Sequence, residues 1–275
     1  DLVTAEGMLY CGHCPACERG HVNQCENLHM MGFSHAGAFS EAVVLHEKHC
    51  WSINRLAERL GNEQQACEIA SLVEPVGCAQ NGMFVVGPGL NSKSHVAVFG
   101  CGPIGLGAIA LARAAGAASI TAFDRTEGRL ALAKTMGADQ VHHADQLTTA
   151  QAAEAIRSAS DGWGADMVIE AAGAATHTIP IAEAAMAPGA TIVYLGRTGE
   201  RAPIMLDAFV TQAARIIGAR GHAGYGIFPH IIQMLENQTI DLSPMITHKA
   251  PLSDYDAAFA QSRTREDGKI LLVQP

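Results

Sequence analysis

Residues 95–124 read HVAVFGCGPIGLGAIALARAAGAASITAFD, and this stretch decides the fold. It opens at residues 95–99 with a short apolar run that is typical of a buried strand. Three glycines follow in GxGxxG spacing: Gly100, Gly102 and Gly105. An alanine-rich segment at helical spacing comes next, and a second apolar run at residues 119–123 ends on Asp124. The order strand, glycine turn, helix, strand and acid predicts a βαβ unit.

Each glycine of this turn has a mechanical reason. Gly100 permits the tight turn, Gly102 lets the backbone approach a pyrophosphate, and Gly105 lets the helix lie close to the strand. The helix N-terminus then presents unpaired N–H groups to the phosphates. The stretch therefore predicts a nicotinamide or flavin dinucleotide as cofactor. A glycine turn in some other doubly wound domain is the alternative.

The acid that ends the second strand bears on the choice of dinucleotide. Asp124 can accept hydrogen bonds from an adenosine ribose and would repel a 2′-phosphate, which favours NAD. Arg125 follows directly and leaves NADP open. We expect NAD as the cofactor.

Composition and charge bound the class of protein. The 275 residues suffice for one large or two ordinary domains. Hydrophobic residues make up 48% and charged residues 16%, which indicates a globular chain. A net charge of -9 argues against nucleic acid or an anionic membrane as partner. We see no apolar run of membrane-spanning length and no N-terminal signal pattern, so we expect a cytoplasmic protein.

Four of the eight cysteines cluster near the start of the chain: Cys11, Cys14, Cys17 and Cys25. In a cytosolic chain a dense cluster indicates metal binding before disulfides. Four thiolates close a tetrahedral shell around Zn²⁺ and leave no position for a substrate, so the site would be structural. A reactive dithiol or disulfide pair remains an alternative. A zinc ribbon for nucleic acid is another, but the lobe lacks the Lys and Arg that such a module uses.

The rest of the chain predicts alternating strands and helices. Before the glycine turn, residues 37–44 alternate as a strand, residues 63–71 read as a helix, and Glu74 caps a helix over residues 76–86 that starts near Pro75. After it, we predict helices at 127–136, 149–158 and 178–186, and strands at 140–143, 167–170, 191–195 and 215–219. The strands add up to a six-stranded, mostly parallel sheet. A short helix at 251–260 and a strand at 268–273 end the chain.

A CxxCxxC-x7-C lobe upstream of GxGxxG resembles the zinc-dependent medium-chain dehydrogenases. The likeness spans essentially the whole chain through short motifs: GAFSE at 37–41, EP at 74–75, GADMVIE at 164–170, LG at 195–196, ITH at 246–248 and GKILL at 268–272. The resemblance implies an α/β protein with a Rossmann doubly wound parallel sheet at residues 76–240. It also implies a partial GroES-like β-barrel catalytic domain with a structural zinc lobe, from residues 1–75 and 241–275, and a homodimer or homotetramer.

The resemblance also implies roles for individual residues. Glu74 matches a position that faces the catalytic zinc in the polyol and L-threonine dehydrogenase branch, where an acid binds zinc directly or through water and assists proton transfer. Further cofactor contacts are implied at the diphosphate, the adenosine end and the nicotinamide end: Pro103, Ile104, Arg125, Arg129, Leu195, Gly196, Arg197, Ala219 and Arg220.

The start of the chain departs from the family pattern. The family's catalytic zinc ligands, a cysteine and a histidine–acid pair, precede the position that matches Asp1, and no stretch here offers a convincing replacement. We therefore expect a longer protein. The implied function is zinc- and NAD-dependent oxidation of a secondary alcohol, such as a polyol, a sugar alcohol or a threonine-like compound. The alternatives are a zinc-free quinone or enone reductase of the same superfamily and a non-catalytic NAD-binding scaffold.

Overall fold

Short strands and helices build the first third of the chain in a computed structural model that describes residues 1–274. The strands are β1 (Val3–Ala5), β2 (Met8–Leu9), β3 (His29–Met30) and β4 (Cys50–Ser52). The helices are α1 (Pro15–Glu18), α2 (Asn54–Leu60), α3 (Glu63–Ala70) and α4 (Val73–Gln80). β1 pairs antiparallel with β4, and β2 pairs antiparallel with β3. These small sheets lie in the region for which the resemblance implies a GroES-like domain.

A parallel sheet forms the centre of the remaining chain. Its strands are β5 (His95–Phe99), β6 (Ser119–Asp124), β7 (Gln140–His143), β8 (Ala165–Glu170), β9 (Met186–Tyr194) and β10 (Arg215–Gly218). The strand order is β10-β9-β8-β5-β6-β7, and every pair of neighbours is parallel. The order reverses between β5 and β8, which confirms the predicted doubly wound sheet of six strands.

Helices follow these strands and cover both faces of the sheet. They are α5 (Pro103–Ala114), α6 (Glu127–Thr135), α7 (Thr149–Ser158), α8 (Ala175–Ala185), α9 (Leu206–Gln212) and α10 (Ile227–Glu236). Alternate residues of β5 pack into two separate apolar clusters: Val96 and Val98 lie in one, and Ala97 and Phe99 lie in the other. Successive side chains of a strand point to opposite faces, so a buried parallel strand reads as continuously apolar.

Beyond residue 241 the chain forms one more small parallel sheet. β11 (Ile246–Pro251) pairs in parallel with β12 (Lys269–Val273), and α11 (Tyr255–Thr264) connects them. The helix predicted over residues 251–260 therefore begins four residues later than expected, because the start of that segment is taken by the strand pairing. The domain boundaries at residues 75 and 241 stay predictions.

Three sequence predictions differ from the structure. No strand forms at residues 37–44, because no backbone within residues 1–274 pairs with this segment, and Phe39 and Val44 are exposed. α4 begins at Val73, so Glu74 lies in the first turn and does not cap the helix. β9 begins at Met186, directly after α8, and is longer than predicted.

One helical segment was misjudged from the sequence. α3, α4 and a π-helical turn at Asn81–Val86 form a helix over Glu63–Val86 that is long and apolar enough to cross a membrane, contrary to the expectation that no such run exists. Its most apolar window is 67% buried within the protein. α4 packs against α5, and a Cβ on Gly107 would lie 2.9 Å from the Cγ2 of Val76. The apolar surface of this segment is thus occupied by core contacts.

Candidate functional site

Four thiols meet in the lobe at residues 11–25. Their sulfur atoms all lie within 4.8 Å of one another, and none of the cysteines in residues 1–274 is in a disulfide. The Sγ atom of Cys25 is 3.6 Å from that of Cys11 and 3.9 Å from that of Cys14. Tetrahedral zinc with Zn–S bonds of about 2.3 Å separates its sulfurs by about 3.8 Å. Both the donor set and its spacing fit a structural Zn²⁺.

The backbone around this cluster stabilises thiolates. The N–H groups of His13 and Cys14 lower the pKa of Cys11 to about 6, with His13 giving the larger effect. The pKa of Cys14 is also lowered, by the N–H groups of Cys17 and Glu26. Burial instead raises the pKa of Cys17 to about 12. Backbone donors thus lower the thiol pKa values and burial raises them, and a bound cation would stabilise all four thiolates.

The glycine turn has the geometry that a diphosphate requires. Gly100 adopts φ +91°, and a Cβ there would lie 2.7 Å from the backbone nitrogen of Ala172. A Cβ on Gly105 would overlap the carbonyl oxygen of Gly100. The N-cap of α5 is Gly102, which supplies no side-chain acceptor, so the first N–H groups of this twelve-residue helix are free for an anion.

Asp124 joins the second strand to this turn. Its Oδ2 accepts a hydrogen bond from the N–H of Cys101 at 2.7 Å, and its Oδ1 accepts from the N–H groups of Arg125 and Thr126 at 2.8 and 3.0 Å. These bonds fix the carboxylate at the rim of a cavity of about 980 Å³. The same cavity is lined by most of the residues predicted for the diphosphate and adenosine ends: Gly100, Gly102, Pro103, Ile104, Arg125 and Arg129.

Two of the three arginines that line this cavity, Arg125 and Arg129, already have partners, and Arg265 is the third. Arg125 Nε donates to Asp145 at 2.8 Å, and Arg129 Nε donates to the carbonyl oxygen of Asp267 at 2.9 Å. Both side chains border the space where a 2′-phosphate would lie, but each already donates a hydrogen bond within the protein. The expected preference for NAD over NADP stays a prediction.

We expect Gly105→Ala to abolish dinucleotide binding and to lower the free energy of unfolding. The added methyl group has no space beside the Gly100 carbonyl oxygen, and overpacking of this kind costs about 1–3 kcal/mol. Calorimetric titration with NAD and urea denaturation measure the two effects. Gly199→Ala is the control, since a Cβ at Gly199 meets no atom within 4 Å. Unchanged NAD affinity in Gly105→Ala would contradict the assigned turn.

The remaining predicted cofactor residues lie at the carboxyl ends of β9 and β10: Leu195, Gly196, Arg197, Ala219 and Arg220. The N–H groups of Leu195 and Gly196 donate to the carbonyl oxygen of Glu170 at 2.9 and 2.8 Å. These residues thus share the carboxyl edge of the sheet with Asp124, which is where a nicotinamide would continue from the adenosine end. Their individual contacts to a cofactor stay predictions.

Glu74 meets two other side chains of ligand type. Its Oε1 lies 2.9 Å from Nδ1 of His222, which follows β10, and the Sγ of Cys78 lies 3.8 Å from the same nitrogen. The Glu74 side chain is 45% exposed whereas that of His222 is 4% exposed. Burial raises the pKa of Glu74, but the hydrogen bond from His222 and the charge of Lys269 oppose it, and the pKa is lowered overall. Glu74 is therefore an ionised, accessible carboxylate at neutral pH.

These three side chains do not supply a catalytic zinc site in this arrangement. The backbone N–H of Gly7 donates to Nε2 of His222 at 3.2 Å. An imidazole that accepts at Nε2 has its proton on Nδ1, so Nδ1 donates to Glu74 and is not free for a metal. A catalytic zinc needs three protein ligands, and two remain here. The role of Glu74 as a zinc ligand stays a prediction.

His222 is the functional-site residue that the sequence reasoning missed. A single histidine in a loop has no periodic pattern and no motif. The available signal was its neighbours: Gly221 and Gly224 both adopt positive φ, at +67° and +77°, so the sequence GHAG makes a tight turn after the last strand. Its contact with Glu74 joins positions far apart in the chain.

Fold and site together define a class of protein, in which a doubly wound dinucleotide domain is joined to a four-cysteine metal lobe. Two family models match the chain. Residues 103–237 match the zinc-binding dehydrogenase model, and residues 1–55 match the alcohol dehydrogenase GroES-like domain. The chain belongs to the zinc-dependent medium-chain dehydrogenases.

Two curated relatives illustrate this membership. Scyllo-inosose 3-dehydrogenase from Thermotoga maritima is 34% identical over 256 residues, which cover 92% of this chain and 64% of that protein. L-threonine 3-dehydrogenase from Bacillus subtilis is 32% identical over 277 aligned residues, which cover 99% of this chain and 75% of that protein. The chain thus spans 64% of the first relative's length and 75% of the second's.

Solved structures of the family superpose on the whole chain. One from Thermotoga maritima, assigned as an alcohol dehydrogenase, has a TM-score of 0.93 at 32% identity and covers 99% of this chain and 69% of its own. An alcohol dehydrogenase from E. coli CFT073 in complex with NADH has a TM-score of 0.84 at 25% identity, covering 98% and 76%. A zinc-binding dehydrogenase from Sinorhizobium meliloti 1021 bound to NADP has a TM-score of 0.81 at 26% identity, covering 94% and 72%. Zinc and a nicotinamide dinucleotide are thus the cofactors of this family.

Proposed function

We propose that the protein is an NAD-dependent oxidoreductase that oxidises a secondary alcohol of the polyol or threonine-like class. The observation that carries this proposal is the fixed Asp124 carboxylate beside the free N-terminus of α5, in a cavity of about 980 Å³. The two curated relatives support the substrate class, since they are named for scyllo-inosose and L-threonine, which both contain secondary hydroxyl groups.

Different residues would bind the cofactor and accept the substrate proton. The turn at residues 100–105 would hold the diphosphate, Asp124 the adenosine ribose, and the carboxyl edge of β9 and β10 the nicotinamide. When bound, the nicotinamide supplies the acceptor for a hydride from the substrate carbon. Glu74 is exposed enough to accept a hydrogen bond from the substrate hydroxyl, and its ionised carboxylate can take up the proton that leaves. The four-cysteine lobe would hold zinc in a structural role only.

The expected setting of the protein is a further part of the proposal. We infer a cytoplasmic homodimer or homotetramer with small-molecule partners. Apolar side chains in and just before α9, which precedes the edge strand β10 in the chain, support an interface between copies: Met205, Leu206 and Val210 are 65%, 74% and 77% exposed. Light scattering on the purified protein measures the number of copies.

Cofactor titration followed by an alcohol panel tests the function. The protein is titrated with NAD and with NADP, and then supplied with NAD and a set of polyols and amino alcohols while absorbance at the NADH band is followed. Oxidation of a secondary alcohol supports the proposal. Turnover of quinones or enones with reduced cofactor and not of alcohols would favour the zinc-free reductase, and binding without any turnover would favour the scaffold. Absence of binding at millimolar NAD would exclude all three.

Asp124→Ala is expected to weaken NAD binding about 10- to 100-fold and to narrow the preference for NAD over NADP. Hydrogen bonds to a charged group contribute about 1.5–3 kcal/mol, and removal of the carboxylate also removes repulsion of a 2′-phosphate. Dissociation constants for both cofactors measure the change. Asp207→Ala is the control, because Asp207 is an exposed acid in the first turn of α9 and does not line this cavity. An unchanged ratio of the two constants would contradict the ribose contact.

A further inference from the structure

The His222 ring is buried between α4, α10 and the start of the chain. Its ring is 4% exposed and packs against Phe228, with ring centroids 5.5 Å apart. Gly77, one turn after Glu74 on α4, lets the helix approach: a Cβ there would lie 2.8 Å from the Cβ of His222. The ring therefore has little freedom to turn.

The hydrogen bonds of this ring also fix where its proton lies. The Gly7 N–H points at Nε2 from 3.2 Å, and a backbone N–H cannot accept a hydrogen bond. Nε2 must accept, and the proton resides on Nδ1. Nδ1 is 2.9 Å from Glu74 Oε1, a normal distance for a charge-assisted hydrogen bond, whereas Cys78 Sγ lies farther away at 3.8 Å. The ring therefore donates to the carboxylate.

The loop at residues 219–226, which contains His222, is held by side chains from two distant parts of the chain. Asn23 Nδ2 donates to the Arg220 carbonyl oxygen at 2.8 Å, and Asn81 Nδ2 donates to the same oxygen at 3.1 Å and to that of Gly221 at 2.9 Å. The N–H of Gly224 also opposes the rise in pKa that burial causes at the Glu6 carboxyl. This 219–226 loop is thus fixed by Asn23 near the start of the chain and by Asn81 after α4.

We propose that His222 is a positioning residue for Glu74: the Gly7 N–H sets the ring tautomer, and Nδ1–H then holds Oε1 of the carboxylate so that the other oxygen faces the substrate hydroxyl. This inference rests on the proposed function for the role of Glu74. It deepens that proposal by naming the residue that orients the carboxylate. His222 itself is buried and acts through Glu74.

Nitrogen-15 NMR of the imidazole rings tests the arrangement without turnover. The protein is labelled with nitrogen-15 on histidine, and the His222 resonances are those that disappear in His222→Asn. We expect them to show a protonated Nδ1 and an unprotonated Nε2. Glu74→Gln is expected to shift the Nδ1 resonance, because the charged acceptor is gone. A His222 ring with its proton on Nε2, or one whose Nδ1 resonance disappears into a metal complex when zinc is added, would overturn the proposal.

Two amide variants separate positioning from packing. The side-chain nitrogen of His222→Asn takes the place of Nδ1 and keeps the donor to Glu74, whereas that of His222→Gln reaches the place of Nε2. We expect His222→Gln to lower kcat about 10- to 100-fold with little change in KM, and His222→Asn to retain most of kcat. His230→Gln, at an exposed position of α10, is the matched control. Thermal unfolding shows that each variant is folded, and equal kcat values for the Asn and Gln variants would overturn the proposal.

The two kinds of measurement distinguish the failure of this inference from the failure of the proposed function. If no alcohol is oxidised by the wild-type protein while the proton is found on Nδ1 and responds to Glu74→Gln, the contact stands and the assigned reaction falls. If alcohols are oxidised and the tautomer is the other one, the reaction stands and the positioning role falls.

Discussion

Cys17→Ser is expected to release about one zinc ion per chain and to unfold the lobe at residues 11–25. Serine is not a thiolate donor, and three sulfurs cannot close the tetrahedral shell. Structural zinc in small modules contributes about 10–16 kcal/mol of apparent binding free energy, which becomes folding free energy for the segment that holds it. In this protein the lobe has only a small apolar cluster of its own, so the metal dominates its stability. Metal content by mass spectrometry and the midpoint of thermal unfolding measure the two losses.

Cys67→Ser is the matched control for this change. Cys67 is exposed on α3 and lies outside the lobe, so neither metal content nor the unfolding midpoint should move. The assignment would be wrong if Cys17→Ser kept its full zinc content. It would also be wrong if mass mapping of the wild-type protein found the lobe cysteines joined to each other in disulfides.

Glu74→Gln should lower kcat for alcohol oxidation at least 100-fold. General acid–base groups contribute about 10²–10⁴ in rate, and an amide cannot take up a proton. The hydrogen bond from His222 lowers the pKa of Glu74 despite the opposing effect of burial, and a weaker base is a less effective catalyst. That reasoning places the expected effect towards the lower end of the range. Steady-state kinetics with the substrate found in the alcohol panel measure it.

The NAD dissociation constant should stay within about twofold in the same variant, because Glu74 does not line the cavity between the glycine turn and Asp124. Glu63→Gln provides the control. Glu63 is an exposed carboxylate at the start of α3 and has no contact with His222. A Glu74→Gln protein with wild-type kcat would remove Glu74 from the mechanism and leave the cofactor site unaffected.

The dinucleotide domain could be predicted in detail because its signals are local. The apolar run at residues 95–99 and the glycine spacing fixed β5 and the start of α5. Both ends of β7 and of α7 agree with the prediction to the residue. Turn residues flank β7, and a capping box at Thr148 begins α7. Where a segment is stabilised by its own periodicity and caps, the sequence contains the information.

The rest depends on contacts between distant parts of the chain. The alternation at residues 37–44 predicts a strand, yet a strand requires a partner backbone, and the described residues provide none. The site is non-local in the same way. Glu74 was placed by resemblance, but its hydrogen-bond partner His222 is brought to it by the turn after β10 and by Gly7 near the start of the chain. No single-sequence pattern encodes such a meeting.

The attachment of the 219–226 loop limits how this protein can be divided in the laboratory. An excised nucleotide-binding half would leave the carbonyl oxygen of Arg220 without the amide of Asn23. It would also uncover Gly221 and Gly224, where an added Cβ would meet the side chains of Met8 and Val22. A truncated version made for crystallisation or labelling should therefore retain the first 25 residues, whichever other segments are trimmed.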